Sequence, residues 1–139
     1  MAFLFDTDAI SEVLRRRPLP FYVRWLESIP RDEQFTSAVA IGELYKGAYR
    51  SANPEFHVER IEAKILPAVT VLAYDVSVAR TYGDIEAQLH RQGAPLADAD
   101  LQIAATALHH GLELVTGHIR HFERVPGLVI ARVLADARR

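Results

Sequence analysis

The chain has 139 residues, half of them hydrophobic and about a quarter charged, with a formal net charge of −2. That length suits one domain, residues 1–139, with a real core; the absence of cysteine excludes disulfides and Cys-based zinc sites and fits a reducing cytoplasm. The charge excludes a global basic field of the kind that coats nucleic acid, but not a local basic rim around an acidic site, and no apolar run reaches the roughly 20 residues of a membrane span.

Ala2 to Phe5 is a short apolar run, without the basic region that opens a secretory leader. It reads as a buried strand that hands over at Asp6-Thr-Asp8 to a helix, with Thr7 or Asp8 as cap and a span from Ala9 to about Arg16. The triplet Arg15-Arg16-Arg17 ends that helix, where cations suit the dipole, before Pro18-Leu-Pro20. Phe21 to Ile29 reads as a second amphipathic helix, with Phe21, Trp25 and Ile29 spaced four apart. Gln34-Phe-Thr36 is the second expected strand, and Ser37 caps a helix to about Arg50. Asn53 and Pro54 supply the cap and first residue of the next helix, which ends near Leu66. Val69 to Tyr74 reads as a third strand, and Asp75 caps a long helix closed by Gly93. Leu112 to Thr116 and Leu128 to Ile130 are the fourth and fifth expected strands.

The stretch between the third and fourth strands, Pro95 to Gly111, organises the rest. Leu101 to Leu108 is almost wholly apolar and reads as a buried helix of about three turns. Asp100, Ile103, Ala104 and Ala107 share one face of it. A carboxylate therefore stands where a core residue is expected, and it requires backbone donors, a cation or a metal as partner. Asp98 is placed as the N-cap of this helix.

Strands alternating with helices predict a three-layer α/β/α sandwich around a parallel sheet. Ligands of such sheets bind beyond the C-terminal strand ends, where strand order reverses. Asp6, Glu43 and Asp100 all fall there. Converging carboxylates raise one another's pKa unless a cation compensates, and oxygen donors without Cys favour Mg²⁺ or Mn²⁺ over zinc. Metal-assisted phosphodiester cleavage needs such a cluster. Singly, Asp6 reads equally well as the cap of the first helix, and Glu43 as a solvated position beside Val39 and Gly47. His109 and His110 close a helix, and His118 and His121, three apart, are weak zinc evidence. No Walker or Rossmann glycine pattern is present.

Four segments together, FLFDTDAISEVL, TSAVAIGELYKGA, GAPLADADLQIAATAL and LVTGHIRHFERVPGL, resemble the PIN-domain ribonucleases, specifically the VapC-like toxins of bacterial toxin–antitoxin pairs. The resemblance spans essentially the whole chain. It implies a five-stranded parallel sheet of order like 3-2-1-4-5 and a Mg²⁺-dependent endoribonuclease. It implies Asp6, Glu43 and Asp100 as the metal-holding acids, supported by the hydroxyls of Thr7 and Thr116. One position departs: two residues after Thr116, where such toxins usually carry Asn or Asp, stands His118. Either Asp98 supplies the extra oxygen, or His118 holds a water or phosphate.

Candidate phosphate grips are Arg15, Arg16, Arg17, Lys46, Arg50 and Arg120, with Lys46 foremost, one turn beyond Glu43. The resemblance also implies a small antitoxin lying along the groove between the first helices, for which Phe21, Tyr22, Trp25 and Leu26 are the candidate contacts, and a homodimer. Two other functions fit parts of the sequence. Phe3 to Asp8 matches the strand end of haloacid-dehalogenase-like phosphatases, with Asp6 as nucleophile, although Ile10, the short chain and the lack of a well-placed Lys speak against it. A catalytically silent PIN-fold binding protein rests on His118 alone.

Overall fold

The computed structural model describes all 139 residues, Met1–Arg139. Its five strands are β1 (Phe3–Phe5), β2 (Gln34–Ser37), β3 (Thr70–Leu72), β4 (Glu113–Val115) and β5 (Ile130–Ala131). They form one parallel sheet of order β3-β2-β1-β4-β5. The expected α/β architecture and strand order are those observed. β1 is central, pairing Phe3 with Gln34 on one side and with Glu113 on the other. Its side chains alternate between two cores, as a strand's pleat requires. Leu4 joins Leu101, Ile103, Leu114 and Phe122 on one face, and Phe3 and Phe5 join Ile10, Tyr22, Ile41 and Leu134 on the other.

The helices are α1 (Thr7–Leu14), α2 (Pro20–Glu27), α3 (Ala38–Arg50), α4 (Pro54–Arg60), α5 (Val76–Arg91), α6 (Asp98–His110), α7 (Ile119–Phe122) and α8 (Val133–Ala137). A 3₁₀ turn, Arg31–Glu33, precedes β2, and a π-helical turn, Ile61–Ile65, prolongs α4. Ser37 and Asp75 cap α3 and α5 as expected, accepting from the amides of Val39 and Val78. Gly111 ends α6 at φ 66°, in the left-handed region that only glycine enters freely. The Leu112 amide then donates to Ala107 O at 2.9 Å, and the chain turns directly into β4.

Several local expectations are corrected. Of the caps considered for α1, Asp6 is the one used and Thr7 and Asp8 are not, so that helix starts two residues early and stops at Leu14. Asn53 makes no side-chain cap bond at α4. Asp98 is the first residue of α6 and not its cap: the helix opens from the Ala97 carbonyl, and Asp98 Oδ1 instead accepts from the Tyr82 hydroxyl at 2.9 Å. α8 has no counterpart among the expected elements.

The chain leaves β1 toward β2 and β3 on one side, then crosses to β4 and β5 on the other. The reversal opens a crevice at the C-terminal ends of β1 and β4, directly after which stand Asp6 and Thr116.

Candidate active site

The crevice is a cleft of about 310 Å³ lined by Asp6, Thr7, Asp8, Ser11, Glu43, Asp100, His118 and His121, with no hydrophobic residue among them. Each acid arrives on a different element. Asp6 is only 3% exposed, and its Oδ1 accepts from the Ala9 amide at 2.8 Å. It is thus both the helix cap and a wall of the cleft. Burial pushes its carboxyl up to about 6; hydrogen bonding by the Thr116 hydroxyl and the Ala9 amide oppose that rise, and the charge of Asp8 adds to it. Glu43, half-buried on the second turn of α3, accepts a hydrogen bond from Thr7 Oγ1, which ties α1 to α3. Asp100, on the first turn of α6, is raised first by burial and then by the charge of Glu43, while His121 and His118 pull it down. Desolvation therefore leads in both acids, ahead of the mutual repulsion expected from the sequence.

Beside these acids stands a clamp that has no signal in the sequence. Arg138 donates from Nη1 to Asp8 Oδ2 at 2.7 Å and from Nη2 to Asp8 Oδ1 at 3.0 Å, and Nη2 also reaches Glu12 Oε1 at 3.0 Å. The Glu12 side chain is wholly buried and also takes the Leu19 amide and Arg15. Although burial pushes the Glu12 carboxyl up, these donors outweigh it and hold the group below its ordinary range. The backbone at Gly117 passes so close to Arg138 Nη1 and Asp8 Oδ2 that a Cβ there would collide with both. No local pattern announces a partner 130 positions away from Asp8. His121 likewise gains a place only through the fold: with His118 it forms a stacked pair at the cleft, ring centroids 5.4 Å apart. His118 Nε2 lies 3.7 Å from Asp8 and His121 Nδ1 lies 3.9 Å from Asp100.

Other candidate residues are placed elsewhere. Asp98 faces α5 across a small cavity with Glu86 and His90, away from the cleft. Arg15 is engaged by Glu12. Arg16 and Arg17 are exposed beyond the far end of α1, about 12 Å of helix from its start. Lys46 and Arg50 are exposed on α3, and Arg120 lines a separate, basic cavity that adjoins the cleft. Of the proposed antitoxin contacts, Tyr22 is withdrawn: it is fully buried and donates to Ala9 O at 2.9 Å. Trp25 packs edge-on against Phe3, with centroids 5.0 Å apart. Phe21 is exposed, and Leu26 lines an apolar groove of about 230 Å³ with Ile10, Val13, Val23 and Ile65.

The donors of the cleft are mostly carboxylate and hydroxyl oxygens, the set a hard divalent cation prefers. No three Asp, Glu or His side chains close into a ready-made cage. No helix is long and apolar enough to cross a membrane.

Residues 3–128 match the PIN domain family. Ribonuclease VapC2 of Haemophilus influenzae is 35% identical over 128 residues, 92% of this chain and 95% of that one. The tRNA(fMet)-specific endonuclease VapC of Shigella flexneri is 34% identical over the same shares of each chain. Toxin FitB of Neisseria gonorrhoeae is 38% identical over 119 residues, 81% of this chain and 85% of that one. In the crystal structure of FitAcB from that organism, the matching chain is 34% identical at a TM-score of 0.83, with 93% of this chain and 96% of that one covered. These matches leave the phosphatase reading without support.

Proposed function

This chain belongs to the PIN-domain family of VapC-like toxin ribonucleases, and from that premise we propose that it is a divalent-metal-dependent endoribonuclease, the toxin of a toxin–antitoxin pair. The observation that carries the reading is a cleft with no hydrophobic lining at the sheet's reversal point, holding Asp6, Glu43 and Asp100 from the N-terminal halves of three separate helices. These three acids would hold Mg²⁺ or Mn²⁺. When bound, the cation supplies a water of lowered pKa and neutralises charge on the phosphodiester.

The chain's own groups fix the acids. Thr7 holds Glu43 Oε1, and the Ala9 amide holds Asp6 Oδ1, so both carboxylates are anchored at the wall of the cleft. Thr116, through its hydroxyl, steadies Asp6 as well as accepting from the His118 amide at 2.9 Å. Asp8 stays neutralised by Arg138, so its charge adds less repulsion toward an incoming phosphate. His118 stands at the position where such toxins usually carry Asn or Asp, and with His121 beside it offers N–H donors to RNA where a carboxylate would repel it.

The inhibitor is a cognate antitoxin, whose apolar segment would occupy the groove of Ile10, Val13, Val23 and Leu26. The toxin acts in the cytoplasm, as a homodimer. Purified protein should cleave total RNA with Mg²⁺ or Mn²⁺, stop with EDTA, and lose activity on Asp100→Asn. Metal-independent cleavage, or full activity of that variant, would overturn the proposal.

A further inference from the structure

Next to the acidic cleft lies a second one, of about 460 Å³ and opposite character. Arg120 and Arg132 line it, with Glu123 as its one carboxylate, and it shares His118 and His121 with the acidic cleft. The stacked histidines are thus a common wall between the two. Other arginines are already engaged: Arg138 by Asp8 and Glu12, Arg15 by Glu12, and Arg124 by the Pro95 carbonyl at 2.7 Å. Arg120 and Arg132 are exposed and form no ion pair within the chain. They arrive from separate segments, α7 and the residue after β5, so their convergence is a product of the fold.

We infer that the basic cleft is a second phosphate subsite, in which Arg120 and Arg132 grip the backbone phosphate of a nucleotide neighbouring the one in the acidic cleft. The inference rests on the ribonuclease reading above. An RNA strand carries a negative charge at every nucleotide, so a strand entering a cleft of carboxylates meets repulsion unless cations flank it. Arginine suits that task because its planar fork donates two parallel N–H bonds to one phosphate. The strand would lie across the histidine wall, with one phosphate on each side of it. The contact reads backbone and not base, so it sets register and affinity without selecting sequence.

The test uses the full chain in EDTA, where cleavage is suppressed, and a fluorescein-labelled single-stranded RNA followed by anisotropy across a KCl series. Arg120→Gln with Arg132→Gln is compared with Arg80→Gln and Arg91→Gln, which remove the same charge from exposed positions on α5. The cleft pair should weaken binding about tenfold or more and lower the log–log salt slope by about 0.7–1.4, the share of one to two phosphate contacts on a single strand. The control pair should change each far less. Arg120→Lys with Arg132→Lys should restore much of the slope, because the charges return. A neutral methylphosphonate walked along the RNA should weaken wild type at one position beside the cleavage site and leave the cleft pair indifferent there. Equal affinity of the two Gln pairs overturns the subsite, whatever cleavage shows. Absence of metal-dependent cleavage by wild type, with this binding difference intact, removes the nuclease reading instead.

Discussion

Asp6→Asn removes a buried charge at nearly constant volume, and the structure sets the size of its effect. Burial pushes the Asp6 carboxyl from its ordinary 3.8 to about 6. At about 1.36 kcal/mol per pH unit, that difference is worth about 3 kcal/mol. The sign follows from proton uptake. Between pH about 4 and about 6 the folded chain holds a proton that the unfolded chain has released. Stability from this site therefore falls as pH rises through that window, and the cost is complete above it. Asn keeps an Oδ1 for the Ala9 amide and caps about as well as Asp, so the helix loses little. Urea unfolding in EDTA from pH about 4 to about 7.5 reads the effect. Asp6→Asn should match wild type near pH 4, exceed it by up to about 3 kcal/mol near pH 7, and lose RNA cleavage entirely. Saturating Mg²⁺ should narrow the gap by stabilising wild type alone. A variant less stable than wild type at pH 7, or an unchanged difference across the window, would refute the assignment of that cost to Asp6.

Asp100→Asn should abolish cleavage while leaving the thermal midpoint at or above wild type, because burial and the Glu43 charge both oppose ionised Asp100. Asp98→Asn should stay within a few-fold of wild-type activity, since Asp98 faces α5; equal inactivity of the two variants would make Asp98 a metal ligand. Arg138→Ala strips the guanidinium from buried Glu12, and the remaining Arg15 and Leu19 contacts soften a loss that should be about 2–4 kcal/mol by urea titration. Unchanged stability would deny the clamp any structural role. Leu26→Asp should weaken antitoxin binding at least tenfold in a titration of the folded variant; unchanged affinity would move the interface away from the groove between α1 and α2.

The sequence by itself determined the architecture and marked out the three acids that the fold brings to one cleft. Apolar runs of strand length alternating with amphipathic stretches admit only a covered parallel sheet, because period 2 and period 3.6 cannot be exchanged. Asp100 was legible for a related reason: a carboxylate on the face of Ile103, Ala104 and Ala107, all of them fully buried, needs a polar partner, and the fold sets it at the wall of the cleft. The four motif segments then fixed the family. Tertiary structure alone decided the rest. Asp98 and Asp100 are two residues apart, yet a helix turns about 200° between them, so one meets Tyr82 and the other the cleft. Asp6 is cap and cleft wall at once, because the carboxylate that accepts from the Ala9 amide also lines the cleft, a double role that only the packing of α1 against the strand ends creates. Arg138 on Asp8, and Arg120 beside Arg132, are pairings between segments that only the folded chain brings together. Charges far apart in sequence carry no local periodicity, so their partnership is written in the packing of α8 and β5 against the first helix and the loop after β4, and nowhere in the order of residues.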